Sequence, residues 1–426
     1  MLSNQWVTAA PPKRSRNTDL LYWNAVRFNA TDGMPLHIEW EDLAIVRDRP
    51  AMPGPAAETV GLSTAASVQI KSDDDARSIR PVADAPSYTF ASIGGEITAE
   101  AYLPGADGFY QGTRFEQPMV HSLVLRKPAI TSPQNGATTH NFYGKWFNES
   151  ESCASMGKDD GSCDFIFKSD NEIIAGPLSA GTGPVDCFGS FGWDAAKPGS
   201  GSFFKVGVGA LLRPAGSESR TQSSDMFLYN ITDRGDWQIT KGADFIEFVQ
   251  TLDDSAASGY GYVYTKRVSL IGAEMTIARS LKNTGTCPIE SQTFTHNFLT
   301  LDRQRSMKGT IVSVPFAIEP DPAQPPNASL VAIGPSGKSL VYQTTLSGEE
   351  SFYVDLARTP KQASENVIEI NSTKLGAGMR ITGDYDLPKC ALWSIRTTLA
   401  AEPFVNVSVA VGAIQSWTSR YEYYTL

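Results

Sequence analysis

The sequence TFTHNFLTLD at residues 293–302 sets an imidazole, His296, beside a carboxamide, Asn297, between Phe294 and Phe298, in a run rich in strand-forming residues. In a strand alternate side chains share a face, so Phe294, His296 and Phe298 point one way and Thr295, Asn297 and Leu299 the other. An imidazole among aromatic rings describes a pocket floor: it exchanges protons near neutral pH, and a neighbouring amide holds hydroxyl groups. The same residues equally suit a buried histidine bonded to a backbone carbonyl. The stretch alone leaves both readings open.

Sugar-type chemistry asks for an apolar platform under the C–H face of a ring, together with carboxylates, amides and guanidinium groups that bond hydroxyls in fixed directions. Both kinds are present. Phe109, Tyr110, Trp146 and Trp193 lie in or near loops, where each serves a core as well as a platform. Glu149 and Asp194 are further acids in loops, where solvation is the simpler role. Lys205, in FFKVGVG, reads as an outward-facing strand residue. There is no GxSxG elbow, phosphate loop or dinucleotide fingerprint, and the GVG at 207–209 is short and strand-embedded. Four histidines, His37, His121, His140 and His296, with no CxxC or paired-histidine spacing, give no metal centre or cofactor motif, although loop carboxylates around Asp159 and Asp160 leave room for calcium.

Four segments carry a resemblance. GFYQGTRFE at 108–116, NFYGKWFNE at 141–149, GSFFKVGVGALLRP at 201–214 and FTHNFLTLD at 294–302 resemble, in this order, a poorly characterised branch of the galactose mutarotase-like (aldose 1-epimerase-like) superfamily, from about Gly94 to the C-terminus. The resemblance implies an all-β, galactose mutarotase-like β-supersandwich with short helices and long loops, and a groove for a mono- or oligosaccharide. It implies substrate contacts from Arg114, where similar proteins carry an arginine suited to sugar oxygens or a uronate, and from Asn297, Tyr110, Trp146 and Trp193. Anomeric interconversion needs an acid on one side of the ring and a base on the other. The resemblance assigns one of these roles to His296. The glutamate of aldose 1-epimerases lies in a Pro-Gly-Glu turn that this sequence lacks; Glu422 in RYEYY reads as an ordinary strand residue. The segment GPVDCFG at 183–189 is similar to an acid-bearing segment of the same relatives, which makes Asp186 the expected partner. Two other readings stay open. One is a uronate-polymer lyase built on Arg114, His296, Asn297 and Tyr110 or Tyr143. The other is a non-catalytic carbohydrate-binding protein.

These side chains need a scaffold of strands. With 36 glycines, 26 prolines, 19% charged residues and frequent Thr, Val, Tyr and Phe, the 426-residue chain reads as all-β and full of turns. Its net charge of -10, without a basic stripe, argues against nucleic acid or an anionic membrane as partner, and no apolar run approaches the ~20 residues that span a bilayer. Residues 1–93, with a Pro/Ala/Ser-rich passage at 49–87, read as a partly ordered extension, and 94–426 as one large domain. Six Asn-x-Ser/Thr sequons (Asn29, Asn148, Asn230, Asn327, Asn371, Asn406) and a closable Cys153/Cys163 loop lean toward secretion of a glycoprotein. The N-terminus shows no apolar signal segment, so a cytoplasmic protein is the alternative.

The alternation predicts strands at 96–102, 122–126, 203–212, 244–252, 261–270, 275–282 and 289–301. Later ones fall at 308–316, 340–344, 351–356, 367–370, 379–382, 391–399 and 404–411. Hairpin-type connections are expected at 253–261 and at the NTG of 283–285. The span 127–202 reads as one long irregular segment, of the length usually given to function.

Overall fold

The computed structural model describes residues 5–7, 26–28, 87–104, 120–126, 139–143, 183–215, 231–347, 350–395 and 398–426. In chain order its strands are β1 (Gln5–Val7), β2 (Val26–Phe28), β3 (Ser87–Ala91), β4 (Ile97–Tyr102), β5 (Val120–Arg126), β6 (Thr139–Tyr143), β7 (Pro184–Phe188) and β8 (Ser202–Lys205). They continue as β9 (Gly209–Leu212), β10 (Ile231–Asp233), β11 (Asp236–Lys241), β12 (Phe245–Asp254), β13 (Tyr260–Ile271), β14 (Glu274–Asn283), β15 (Ile289–Leu299) and β16 (Thr310–Ser313). The last are β17 (Val331–Ile333), β18 (Ser339–Tyr342), β19 (Ser351–Ala357), β20 (Val367–Ser372), β21 (Ala377–Gly383), β22 (Cys390–Ile395), β23 (Thr398–Val409) and β24 (Ile414–Thr425). Among the described residues there is no α-helix, only 3-10 turns at Leu301–Arg303 and Ala363–Glu365. The fold is all-β, as expected.

Two sheets dominate. Ten strands are ordered β11-β12-β13-β14-β24-β21-β20-β16-β18-β17, and five are ordered β19-β22-β23-β15-β7. Smaller sheets, β3-β4-β5-β6 and β10-β9-β8, add to them. The long strands of the ten-stranded sheet alternate. Ile246, Phe248 and Leu252 of β12, Tyr264, Val268 and Leu270 of β13, and Met275, Ile277 and Leu281 of β14 are all buried, while the residues between them are more exposed. Together with Leu299, Ala401, Leu392, Val354 and Tyr421 they fill the space between the two main sheets. At about 25 cal/mol per Å² this apolar burial is the main stabilising term, and it fixes each strand's phase, since a one-residue slip would turn every side chain over.

Several expectations change. The strand expected at 203–212 is a tight hairpin of β8 and β9, because Gly207 and Gly209 adopt φ of 82° and 135°. The GVG is therefore a turn, not strand-embedded. The strand expected at 391–399 breaks into β22 and the start of β23, which pair with each other. The NTG segment does not close a hairpin: β14 and β15 belong to different sheets, and Asn283 secures the crossing by donating from Nδ2 to the carbonyls of Cys287 and Val409, both at 2.9 Å. The span 127–202 contains β6 and β7. β3 begins at Ser87 and pairs with β4 along its whole length.

Candidate functional site

The five-stranded sheet has two faces with different polar chemistry, and β15 supplies both. Its register pairs Phe294 with Phe404, Asn297 with Ala401 and Phe298 with Ala400 on β23, so His296 stands directly beside Glu402. His296 Nε2 lies 3.3 Å from Glu402 Oε1, with both side chains almost fully buried. The imidazole stacks on Phe298 at 3.6 Å and 18°, meets the edge of Trp393 at 5.3 Å and 87°, and lies 5.7 Å from the Phe294 ring. Phe294 in turn rests on Phe404 at 4.7 Å.

Across this face the residues form rows, because paired residues of neighbouring strands point the same way. One row reads Asp355, Ala391, Glu402, His296, Val185; the next reads Tyr353, Trp393, Ala400, Phe298. Lys389 and Phe404 begin a third, joined by the Phe404 N–H to the Lys389 carbonyl at 3.0 Å. The Lys389 ammonium lies 3.1 Å from Asp355 Oδ1 and 5.3 and 5.4 Å from the Tyr353 and Phe404 rings. The face is thus enclosed at His296, Phe298 and Trp393 and half-exposed at Phe294, Phe404, Tyr353 and Asp355. Burial, and then the charges of Glu402 and Asp355, push the Tyr353 phenol well above its ordinary value, which keeps it protonated. The arrangement offers an imidazole–carboxylate pair inside an aromatic wall, next to a half-exposed edge that carries a cation, a carboxylate and two rings. Such a wall matches the mixed demands of a sugar ring.

The expected partner of His296 is elsewhere. Asp186 pairs across β7 with Thr295, not with His296, so its side chain leaves the opposite face and enters the space between the sheets. There Lys266 and Arg279 are direct cross-strand neighbours on β13 and β14, each only 2% exposed, a like-charge juxtaposition that demands an anion. Asp186 supplies it. Its carboxylate lies 2.8 Å from Lys266 Nζ and 2.7 Å from Arg279 Nη2, and accepts from the Tyr264 hydroxyl at 2.9 Å. Burial alone would raise the Asp186 carboxyl; the charges of Arg279 and Lys266 overcome it and hold the group well below the usual carboxylate range. This carboxylate is an internal counter-ion, and it does not share a surface with His296.

Asn297 is likewise internal, donating to the Ala401 carbonyl at 2.8 Å and accepting from Tyr421 Oη at 2.8 Å. Trp193 is 1% exposed, packed edge-on against Phe203 with Arg213 over its ring. Tyr143 is buried and shares a hydroxyl–hydroxyl bond of 2.9 Å with Tyr423. Lys205 is buried, against expectation, and Glu422 is a surface partner of Arg380 at 3.0 Å. Arg114, Tyr110, Trp146, Glu149 and the Cys153/Cys163 pair lie outside the described residues. Glu402 and Asp355, absent from the expectation, are the acids that stand on the His296 face; the only local hint of the first is its place in a long strand-like run, AAEPFVNVSV.

No family model matches the chain, and no curated protein does. Among solved structures the chain is similar to a galactose mutarotase related enzyme from Lactobacillus acidophilus, at 11% identity and TM-score 0.44 over 80% of this chain and 97% of that one. It is similar to the GalM/aldose epimerase homologue from C. elegans, at 12% identity and TM-score 0.40 over 80% and 99%. It is also similar to the Slr1438 protein from Synechocystis sp. PCC 6803, at 11% identity and TM-score 0.42 over 82% and 97%. The chain resembles galactose mutarotase-like structures, and the resemblance is one of fold alone.

Proposed function

We propose that this chain is a carbohydrate-active protein of aldose 1-epimerase type, with the His296–Glu402 pair moving the proton at the anomeric centre of a sugar. The observation that supports the reading is the 3.3 Å contact between His296 Nε2 and Glu402 Oε1 within the wall of Phe294, Phe298, Trp393 and Phe404. A carboxylate against an imidazole nitrogen stabilises the imidazolium, and so readies a proton for a ring oxygen and takes it back on closure. Trp393 and Phe404 offer apolar surface to the C–H face of the ring. Removal of water from the enclosed end strengthens every charge interaction there.

Proton NMR of freshly dissolved α-anomers tests the proposal. The protein is expected to speed anomeric equilibration, and His296→Ala is expected to lower the rate by about 10²- to 10⁴-fold, the usual range for one positioned acid–base group. Equal rates for the two proteins, both folded by near-ultraviolet circular dichroism, refute the role of His296. Sugar resonances that broaden with no gain in rate leave a binding protein instead.

A further inference from the structure

Ring opening at an anomeric carbon needs a proton donor at the ring oxygen and a proton acceptor at the anomeric hydroxyl, on different sides of the sugar. His296 and Glu402 touch each other, so they occupy one side as a unit. The groups that face them along the same sheet surface come from β19, β22 and the neighbouring turn: Tyr353, Asp355, Lys389 and Arg358. Asp355 occupies the same row, two strands from Glu402, with only the methyl group of Ala391 between them. At the usual strand spacing the two backbones are about 10 Å apart, a separation that sets carboxylates rising from the same face on either side of a ring.

Asp355 is held as an acceptor. Its Oδ1 is buried and makes no hydrogen bond of proper geometry, but has the Lys389 ammonium at 3.1 Å; Arg358 Nε lies 4.0 Å from Oδ2. The Lys389 ammonium and the Arg358 guanidinium both face this carboxylate, and the neutral Tyr353 hydroxyl beside it supplies a hydrogen bond rather than a competing charge. The edge of the face at Tyr353, Phe404 and Lys389 is half-exposed, whereas Ala391 is fully buried.

We propose that Asp355 is the second proton-transfer residue of the site, the base opposite the His296–Glu402 pair, with Tyr353 and Lys389 as its positioning residues. The inference rests on the aldose 1-epimerase reading above. The substrate is a reducing aldose in its ring form. Asp355 takes the proton of the C1 hydroxyl, the O–H electron pair becomes the C1=O bond, the C1–O5 bond breaks, and O5 takes the proton of the His296 imidazolium. Rotation about C1–C2 turns the other carbonyl face toward O5. Closure then returns one proton to O1 from Asp355 and one to His296 from O5, with no change of oxidation state.

The test is anomeric equilibration by NMR or polarimetry with wild type, Asp355→Asn and Asp355→Glu. For Asp355→Asn the expected result is a fall in kcat of at least 100-fold, with KM changed less than fivefold and the acidic limb of the kcat/KM profile removed. Asp355→Glu keeps that limb but loses about tenfold or more in kcat, because the base is displaced by about one bond length. Wild-type kcat in Asp355→Asn overturns the inference and leaves the epimerase reading standing. If Asp355→Asn does not fold, wild-type kcat in Asp355→Glu overturns it. A wild-type protein that accelerates no anomer overturns both the role of Asp355 and the epimerase reading on which it rests.

Discussion

Removal of the Asp186 carboxylate offers the clearest separation of architecture from chemistry. Asp186→Ala leaves the Lys266 ammonium and the Arg279 guanidinium, each 2% exposed, side by side between two sheets with no counter-charge. Breaking a buried ion pair on one side typically costs about 3–5 kcal/mol, and here two cations are abandoned at once. The loss has a ceiling, because Lys266 can shed its proton. Burial lowers its pKa; Asp186 holds the proton on, and Arg279 pushes it off. With an unfolded value near 10.4, giving up that proton at pH 7 costs roughly 1.36 kcal/mol for each of about 3.4 pH units, or about 4.6 kcal/mol. The expected destabilisation is therefore about 4–5 kcal/mol at pH 7. Its sign with pH follows. The variant lysine has a folded pKa below its unfolded one, so the penalty is full below the folded value and shrinks as pH rises toward 10.4; by pH 9.5 the ceiling is about 1.2 kcal/mol plus the lost hydrogen bonds. Urea unfolding at both pH values, read by tryptophan fluorescence and compared at equal slope, measures the difference. A penalty below about 1 kcal/mol at pH 7, or one that does not change with pH, refutes the counter-ion argument.

Three further outcomes are expected. Glu319 accepts from the Arg358 and Thr359 backbone N–H groups at 3.0 and 2.9 Å and from Lys361 Nζ at 2.7 Å. Burial raises its pKa and these bonds outweigh burial, bringing it down to about 2. Its contribution is complete above the unfolded value near 4.3 and is lost as pH falls through about 2, so amide protection at Arg358 and Thr359 should drop across that window; constant protection contradicts it. Gly209→Ala would drive a Cβ into the Asp233 carbonyl at a φ of 135°, and should lower stability by about 1–3 kcal/mol in thermal unfolding; an unchanged midpoint rules out this turn between β8 and β9. Trp393→Leu removes the edge contact to His296 and should weaken sugar affinity by about 1 kcal/mol or more in NMR titration; unchanged affinity removes Trp393 from the binding wall.

The parts of the fold that sequence reveals are those governed by short periods. Alternation over 10 to 12 residues marks β12, β13 and β14 because one face meets a core and the other does not, and the same rule sorts Phe294, His296 and Phe298 from Thr295 and Asn297. The hidden parts depend on register between distant strands. Nothing near Glu402 marks it as a partner of His296; only the pairing of Phe294 with Phe404 brings them together. Asp355 is harder still, since it reaches the row through two intervening pairings, β19 with β22 and β22 with β23. The NTG of 283–285 misleads for a related reason. A turn-forming tripeptide ends a strand, but whether the chain returns beside that strand or crosses to another sheet is decided by what the next strand buries.

Adjacent residues of β15 serve separate purposes because a strand has two faces. Thr295 turns inward, where it accepts from Arg279 Nη2 at 3.1 Å and joins the Asp186 network. His296 turns outward to Glu402. The inner cluster is saturated: Arg279 also donates to the Ile277 carbonyl and Ser419, and Asn297 and Tyr421 complete one another. Saturation fixes β15 and β7 against the ten-stranded sheet, since any slip would break several charge-assisted bonds at once. That rigidity has a use on the other face. An imidazole and a carboxylate on neighbouring strands keep their separation only if the strands keep their register, and catalytic geometry tolerates errors of about 0.5 Å. The buried ion network, poor as a source of net stability compared with apolar packing, suits this positioning role because it penalises alternative registers more than it rewards the native one. On the proposed function, Asp186 therefore acts on His296 only through the strand it pins, and its conservative variant Asp186→Asn should change kcat only to the extent that it loosens β15.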